Sequence, residues 1–224
     1  MKESDLYPRV EQWMKKHFRC FATATNTGLA YSRPDVTGVR DIGGDLSGEV
    51  ESIIIEVKRG DSQPFATASG QALGYRVYAN RVYLAEARPK SFNADEIQIA
   101  SHLGIGLIWI KGRGCTEVLS SPSYTPITRL NRLLLEKLTL GHCQLCGSVF
   151  RIGEEPKKKF SNLTREKIDK AIELERGVMF WNREVADRKR RLGIRETKEG
   201  YTQERRFICP DCVSNVLSQL HGDA

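Results

Sequence analysis

An α/β protein with a mixed sheet is what this 224-residue sequence predicts, and three observations lead there. Helix-period and strand-period segments alternate along the first 140 residues. The run Ile53-Ile54-Ile55-Glu56-Val57-Lys58 is too short for a helix and apolar enough for a strand buried on both faces. Two Cys-x-x-Cys pairs, Cys143/Cys146 and Cys209/Cys212, mark a separate small module after residue 140. The expected division is therefore 1–140 and 141–224.

Residues 5–18 place Leu6, Val10, Trp13, Met14 and Phe18 on one helical stripe, with Pro8 tolerated in the first turn. Residues 20–25 and 34–40 read as short strands. The Gly-rich stretch 42–51 reads as a hairpin loop whose Asp41 and Asp45 are turn residues and whose Glu51 is solvated. A buried strand at 52–58 follows. Residues 62–79 read as a helix, with Gly70 and Gly74 four apart on one face, where they would admit a sheet or a ligand backbone. A strand at 81–86, a helix near 94–103, a strand at 105–111 and a helix near 126–138 complete the first part.

Composition bounds the function classes. The hydrophobic share of 40% suits a soluble globular chain, and no apolar run approaches a membrane span. The N-terminus lacks an apolar signal core, so a cytoplasmic location is expected, where paired cysteines serve metals more often than disulfides. The net charge of +7 favours a polyanionic partner, and both parts carry a positive excess.

The chemistry-bearing residues gather around the buried strand. Side chains two apart on a strand share a face, so Glu56 and Lys58 project together and Val57 points away. Pro34-Asp35 opens the preceding strand, and Gln71 and Tyr75 follow on one helical face. Hard carboxylate oxygens suit Mg²⁺ or Mn²⁺, and a neighbouring ammonium can offset charge developing on a phosphate. In order and type, Pro34-Asp35, Glu56-Val57-Lys58 and Gln71-x-x-x-Tyr75 resemble the PD-(D/E)xK nuclease superfamily, in its Holliday-junction-resolvase and RecB-like branch.

The resemblance spans roughly residues 1–111 and implies a restriction-endonuclease-like αβββαβ core. It implies a metal held by Asp35, Glu56 and the Val57 carbonyl, with Lys58 orienting or helping to deprotonate the attacking water. Gln71 would position the water or the phosphate, and Tyr75 would pack beneath it. Many members add a glutamate from the first helix. Glu3 and Glu11 both lie on the face of Tyr7, and likeness to the opening of some members favours Glu3. Hydrolysis would leave 5′-phosphate ends on a nucleic acid, DNA ahead of RNA, and a homodimer could cut both strands. The alternative is a nuclease-like fold that binds nucleic acid without cutting it.

The cysteine pairs resemble zinc knuckles, each turn presenting two sulfurs to one structural Zn²⁺. Residues 147–208 lie between the pairs and make the module mainly helical, with a helix expected at 164–176. They also contain Phe180, Trp181 and the basic run Arg188-Lys189-Arg190-Arg191. Aromatics beside a basic cluster suit nucleic acid, although a packed aromatic pair and a solvated helix face have the same composition. Cys20 and Cys115 read as packing residues.

Overall fold

The computed structural model describes residues 2–29, 32–44, 48–60, 62–143, 145–152, 207, 209, 211 and 212. The expected helix at 164–176, Asp45, the Phe180–Trp181 pair and the basic run 188–191 lie outside the described residues. The chain divides into two compact units, 1–45 with 49–138, and 46–48 with 139–224. No helix among the described residues is long and apolar enough to cross a membrane.

The first unit is built on six strands: β1 (Ala22–Thr25), β2 (Val36–Asp41), β3 (Val50–Arg59), β4 (Arg81–Ala87), β5 (Gly106–Lys111) and β6 (Gly114–Leu119). They lie in chain order across one sheet. The β1–β2, β2–β3 and β5–β6 pairs are antiparallel, and β3–β4 and β4–β5 are parallel. Parallel neighbours require crossovers, supplied by the helices α2 (Phe65–Gly74) and α3 (Ala94–Leu103). α3 has well-formed ends: Asn93 and Glu96 form a reciprocal capping box, and Gly104 closes the helix at φ 68°.

A short 3₁₀ turn, Glu3–Leu6, leads into α1 (Tyr7–His17). Leu6, Val10, Met14 and Phe18 are the expected stripe. They pack with Ile53, Ile55, Val57, Tyr83, Ala85, Ile108 and Ile110 in one buried core. Alternation along β3 therefore sends its odd positions towards α1 and its even positions, Ile54, Glu56 and Lys58, to the other face. Gly38 in β2 lets the first helix close in, because a Cβ there would stand 2.4 Å from Met14 Sδ. α4 (Thr128–Lys137) is tied on by Asn131, whose amide donates to Ser52 Oγ and to the Tyr78 carbonyl.

Four expectations change. β3 starts at Val50, so Glu51 is inside the strand and buried rather than solvated. Arg40 from β2 and Arg81 from β4 both hydrogen-bond its carboxylate, Arg81 Nε at 2.8 Å. The helix over 62–79 shortens to α2 and passes at Tyr75–Val77 into a 3₁₀ turn. Gly70 and Gly74 do not admit the sheet; α2 buries Ala68, Ser69 and Ala72, and a Cβ on either glycine would meet nothing within 4 Å. The sixth strand, β6, was not anticipated from the sequence.

In the second unit β7 (Leu140–His142) pairs antiparallel with β8 (Val149–Arg151), and Cys143 bridges to Phe207. Gly147 at φ 78° makes the tight return between them.

Candidate active site

Asp35 is held at the entry to β2, where its carbonyl accepts from Asn26 N–H and Thr27 N–H bonds the Pro34 carbonyl. Its side chain accepts the Val57 N–H at Oδ2, 2.8 Å away, and hydrogen-bonds the Tyr7 hydroxyl. This fixes the carboxylate beside the β3 backbone just where β2 pairing begins. Glu56 and Lys58 project from the next two even positions of β3. Lys58 Nζ lies 2.6 Å from Glu56 Oε1 and 3.1 Å from Glu3 Oε1. Tyr75 donates its hydroxyl to Glu56 Oε2 at 2.9 Å. Asp35, Glu56, Lys58 and Tyr75 are all buried.

Glu3, Asp35, Glu56 and Lys58 thus form one cluster. Glu11 does not join it; Thr23 and Lys15 hydrogen-bond its carboxylate on another part of α1. Gln71 also stands apart among the described contacts. It is exposed and accepts a bond from Gln63 Nε2 at 3.0 Å, whereas Tyr75, expected only to pack, touches Glu56 directly. The hydroxyl of Tyr7 escaped the sequence reading. Its signal was spacing: Tyr7 is one turn after Glu3, so a turn that carries Glu3 to Lys58 brings Tyr7 towards the same site.

The electrostatics follow from this crowding. Burial, reinforced by the Glu56 charge and opposed by the bonds from Tyr7 and Val57, pushes the Asp35 carboxyl up to about 6. Burial would pull Lys58 down, but the hydrogen bond and charge of Glu56, then Glu3, outweigh it and hold the ammonium above its ordinary range. Lys58 is thereby a proton donor and a fixed positive charge. Burial and then the Glu56 charge raise Tyr75 well above an ordinary phenol, so it too donates.

Glu56 and Glu3 pair with the Lys58 ammonium and the Asp35 charge also acts on it, leaving an excess of two negative charges when all three carboxylates are ionised. Each carboxylate oxygen has two acceptor directions, so the bonds from Val57, Lys58 and Tyr75 leave capacity for a hard cation. These are hard oxygen donors, the type that divalent cations prefer.

A second cluster belongs to the C-terminal unit. The sulfurs of Cys143, Cys146, Cys209 and Cys212 lie within 4.8 Å of one another and could hold a metal ion. All four are free thiols. The Cys146 and Cys209 sulfurs are 3.7 Å apart, far beyond a disulfide bond. Backbone N–H groups approach the sulfurs, Cys209 N to Cys143 Sγ at 3.3 Å and Cys212 N to Cys209 Sγ at 3.5 Å. Ser148 hydrogen-bonds Cys146 and lowers its thiol to about 6. Among the described residues no other group of three or more acidic, histidine or cysteine ligand atoms is gathered as closely.

No family model matches the chain, and none of the curated proteins matches it. Among solved structures the chain is similar to a protein of unknown function from Silicibacter pomeroyi, at 18% identity and a TM-score of 0.44, over 62% of this chain and 84% of that one.

Proposed function

We propose that this chain is a divalent-metal-dependent nuclease of the PD-(D/E)xK type, with a restriction-endonuclease-like core and a zinc-bound C-terminal module. The observation that carries the reading is the convergence of Lys58 on Glu56 and Glu3 beside Asp35. Nothing in a merely structural strand end calls for three carboxylates and a lysine to be gathered there.

Asp35 and Glu56, with the Val57 carbonyl, are the groups that would hold Mg²⁺ or Mn²⁺. When bound, the ion polarises a phosphate oxygen and makes a coordinated water more acidic. Val57 N–H and Tyr7 keep Asp35 aimed, and Tyr75 keeps Glu56 aimed. Lys58, protonated and steered by Glu56 and Glu3, donates to the attacking water or to a phosphate oxygen as negative charge grows on it. Hydrolysis by this route leaves a 5′-phosphate. DNA is the preferred substrate class, and a homodimer would supply a site for each strand of a duplex.

Zinc is the metal that suits the cysteine cluster. A tetrahedral site with Zn–S bonds of about 2.3 Å has S···S edges of about 3.8 Å, and the Cys146–Cys209 separation is 3.7 Å. Four thiolates close the coordination, so this zinc is structural. The basic run 188–191 would add grip on nucleic acid.

The test is incubation of the full chain with labelled single- and double-stranded DNA and RNA in Mg²⁺ or Mn²⁺, beside Asp35→Ala and Lys58→Ala. Wild type should cleave, and each variant should lose roughly 10²–10³-fold in rate. Cleavage that survives both substitutions defeats the assigned site. Binding without cleavage on every substrate replaces the reading with a nuclease-like binding protein.

A further inference from the structure

We propose that the turn between β5 and β6 grips the phosphate backbone of the substrate strand, with Lys111 and Arg113 as the phosphate contacts. The proposal deepens the nuclease reading and rests on it. Lys111, Gly112, Arg113 and Gly114 are all exposed. Lys111 pairs with Gly114 across the hairpin, and Gly112 takes the first place of the two-residue turn at φ 54°, where such turns favour glycine. A turn this short holds its two cations close together at the end of the hairpin.

Strand register puts Lys111 on the face of the carboxylate cluster. Lys58 is paired with Glu86 on β4, and Glu86 with Trp109 on β5. Residues paired directly across neighbouring strands share a face. Trp109 therefore stands on the Lys58 face, and Lys111, two residues on, follows it. Ile108 and Ile110, which alternate with them, enter the α1 core instead. Because β3, β4 and β5 are parallel, Lys58 and Lys111 lie near the same carboxyl edge, where ligands of open α/β sheets bind. Two strand spacings and a rise of two residues separate them, about 12 Å in all. At a rise of about 3.4 Å per nucleotide, the contact falls about three to four nucleotides from the bond being cut.

The positive charge at this turn is not cancelled locally. Lys111 Nζ stands 5.1 Å from the centroid of the Trp109 ring, a contact that orients the ammonium without neutralising it. Trp109 is itself fixed, its Nε1 donating to the Arg88 carbonyl at 3.0 Å. Arg9 of α1 donates to the Gly112 carbonyl and brings a third cation to the turn from the other face. The carboxylates of the neighbouring strands and of α3 are engaged elsewhere. Glu86 and Glu96 hold Arg88 at 3.0 and 2.8 Å, and Glu117 of β6 is bonded by His17 and Tyr83 on the α1 side. Among the described residues no carboxylate pairs with Lys111 or Arg113.

Charge chemistry selects the partner. An isolated surface ion pair contributes little, but each strand phosphate neutralised by a lysine or arginine releases a condensed counterion, whatever the sequence. The arginine fork matches a phosphate, and the lysine meets one as a point charge. The net charge of +7 over the whole chain has the same sign. A contact of this kind carries no sequence information; it sets the path of the strand along the edge that leads to Glu56 and Lys58.

The test compares the full chain with Lys111→Ala, Arg113→Ala and the double variant. Arg129→Ala is the control: Arg129 is exposed on α4, whose Asn131 reaches Ser52 near the amino end of β3. Binding of labelled single- and double-stranded DNA is measured across a series of salt concentrations, and cleavage kinetics are taken on the best substrate. Each single variant at the turn should lower the slope of log K against log salt by about 1, equally for unrelated sequences, and the control should leave it unchanged. The cleavage defect should fall on KM, roughly tenfold, and Lys111→Arg should recover part of it. A strand carrying an uncharged methylphosphonate three or four nucleotides from the cut should bind wild type more weakly and the double variant no differently. A wild-type slope in the double variant overturns the contact, as does an equal fall in the control or a methylphosphonate penalty that survives the double substitution. Failure of the nuclease reading looks different: wild type then binds DNA and never cuts it, while the salt slopes still decide the contact. A wild type that binds no DNA overturns both.

Discussion

Tyr75 donates to Glu56 Oε2 across 2.9 Å, so its phenol closes the side of the carboxylate that Lys58, on Oε1, leaves open. Both residues are buried, and Tyr75 comes from the 3₁₀ turn that ends α2. The orientation of the strand carboxylate thus depends on the point where the helix stops. Tyr75→Phe removes the donor and leaves a buried anionic oxygen without it. The variant should lose about 1.5–3 kcal/mol of stability, read as a lower urea midpoint at unchanged slope. An unchanged midpoint would show that Glu56 is aimed by Lys58 alone.

Glu51 predicts an acid-sensitive brace. Burial pushes its carboxyl up, but the hydrogen bonds from Arg81 and Arg40 outweigh this and hold it below the ordinary carboxylate range. The folded chain then binds fewer protons there than the unfolded chain. The stability so contributed is present above the ordinary carboxylate pKa and is lost as pH falls through the lowered one. Glu51→Gln should therefore melt well below wild type at pH 7, and the gap should close as melting is repeated down to about pH 3. A gap of constant width would assign the effect to packing.

Two glycines should respond with opposite signs. At Gly70 a methyl group meets nothing within 4 Å, so Gly70→Ala should stabilise α2 by about 0.4–1 kcal/mol. At Gly38 the same methyl would meet Met14 Sδ at 2.4 Å and Cys20 Sγ at 2.9 Å. Gly38→Ala should therefore destabilise by about 1–3 kcal/mol through overpacking. Thermal melts of the two variants beside wild type check both.

The cysteine cluster predicts bound metal. Elemental analysis of the purified chain should find one zinc, lost in Cys143→Ser and in Cys209→Ser. Chelation should lower the melting temperature of wild type more than that of either variant. A purified wild type without metal would leave the four thiols as a packing cluster.

The mixed α/β sheet was legible because its cues are local. The α1 stripe from Leu6 to Phe18, the apolar run of β3 and the turn signals around them are each contained in fewer than twenty residues. Glu56 and Lys58 share a face by alternation alone. What was not legible depends on partners remote in sequence. Glu51 resembles a solvated acid until Arg40 and Arg81 are brought beside it from neighbouring strands. Tyr7 resembles a core aromatic until the 3₁₀ turn sets it against Asp35. β6 is short, half-buried and follows Gly112 at φ 54°, so its pattern is weak until β5 offers it an edge. Gln71 shares a helical face with Tyr75 in an ideal helix, but α2 ends between them, and spacing no longer implies a shared environment.

The Arg40–Glu51–Arg81 contact also bears on fidelity. It spans β2, β3 and β4 near the amino end of β3, while Glu56 and Lys58 lie near the other end. A strand slipped by one residue exchanges its faces throughout, which would put Val57 on the face from which Glu56 and Lys58 now project. Such a slip must also carry the Glu51 carboxylate, which shares the face of Ile53, Ile55 and Val57, away from both guanidinium groups to the opposite face of the sheet. The pairing error that would break up the Glu56–Lys58 cluster is therefore penalised five residues upstream of Glu56.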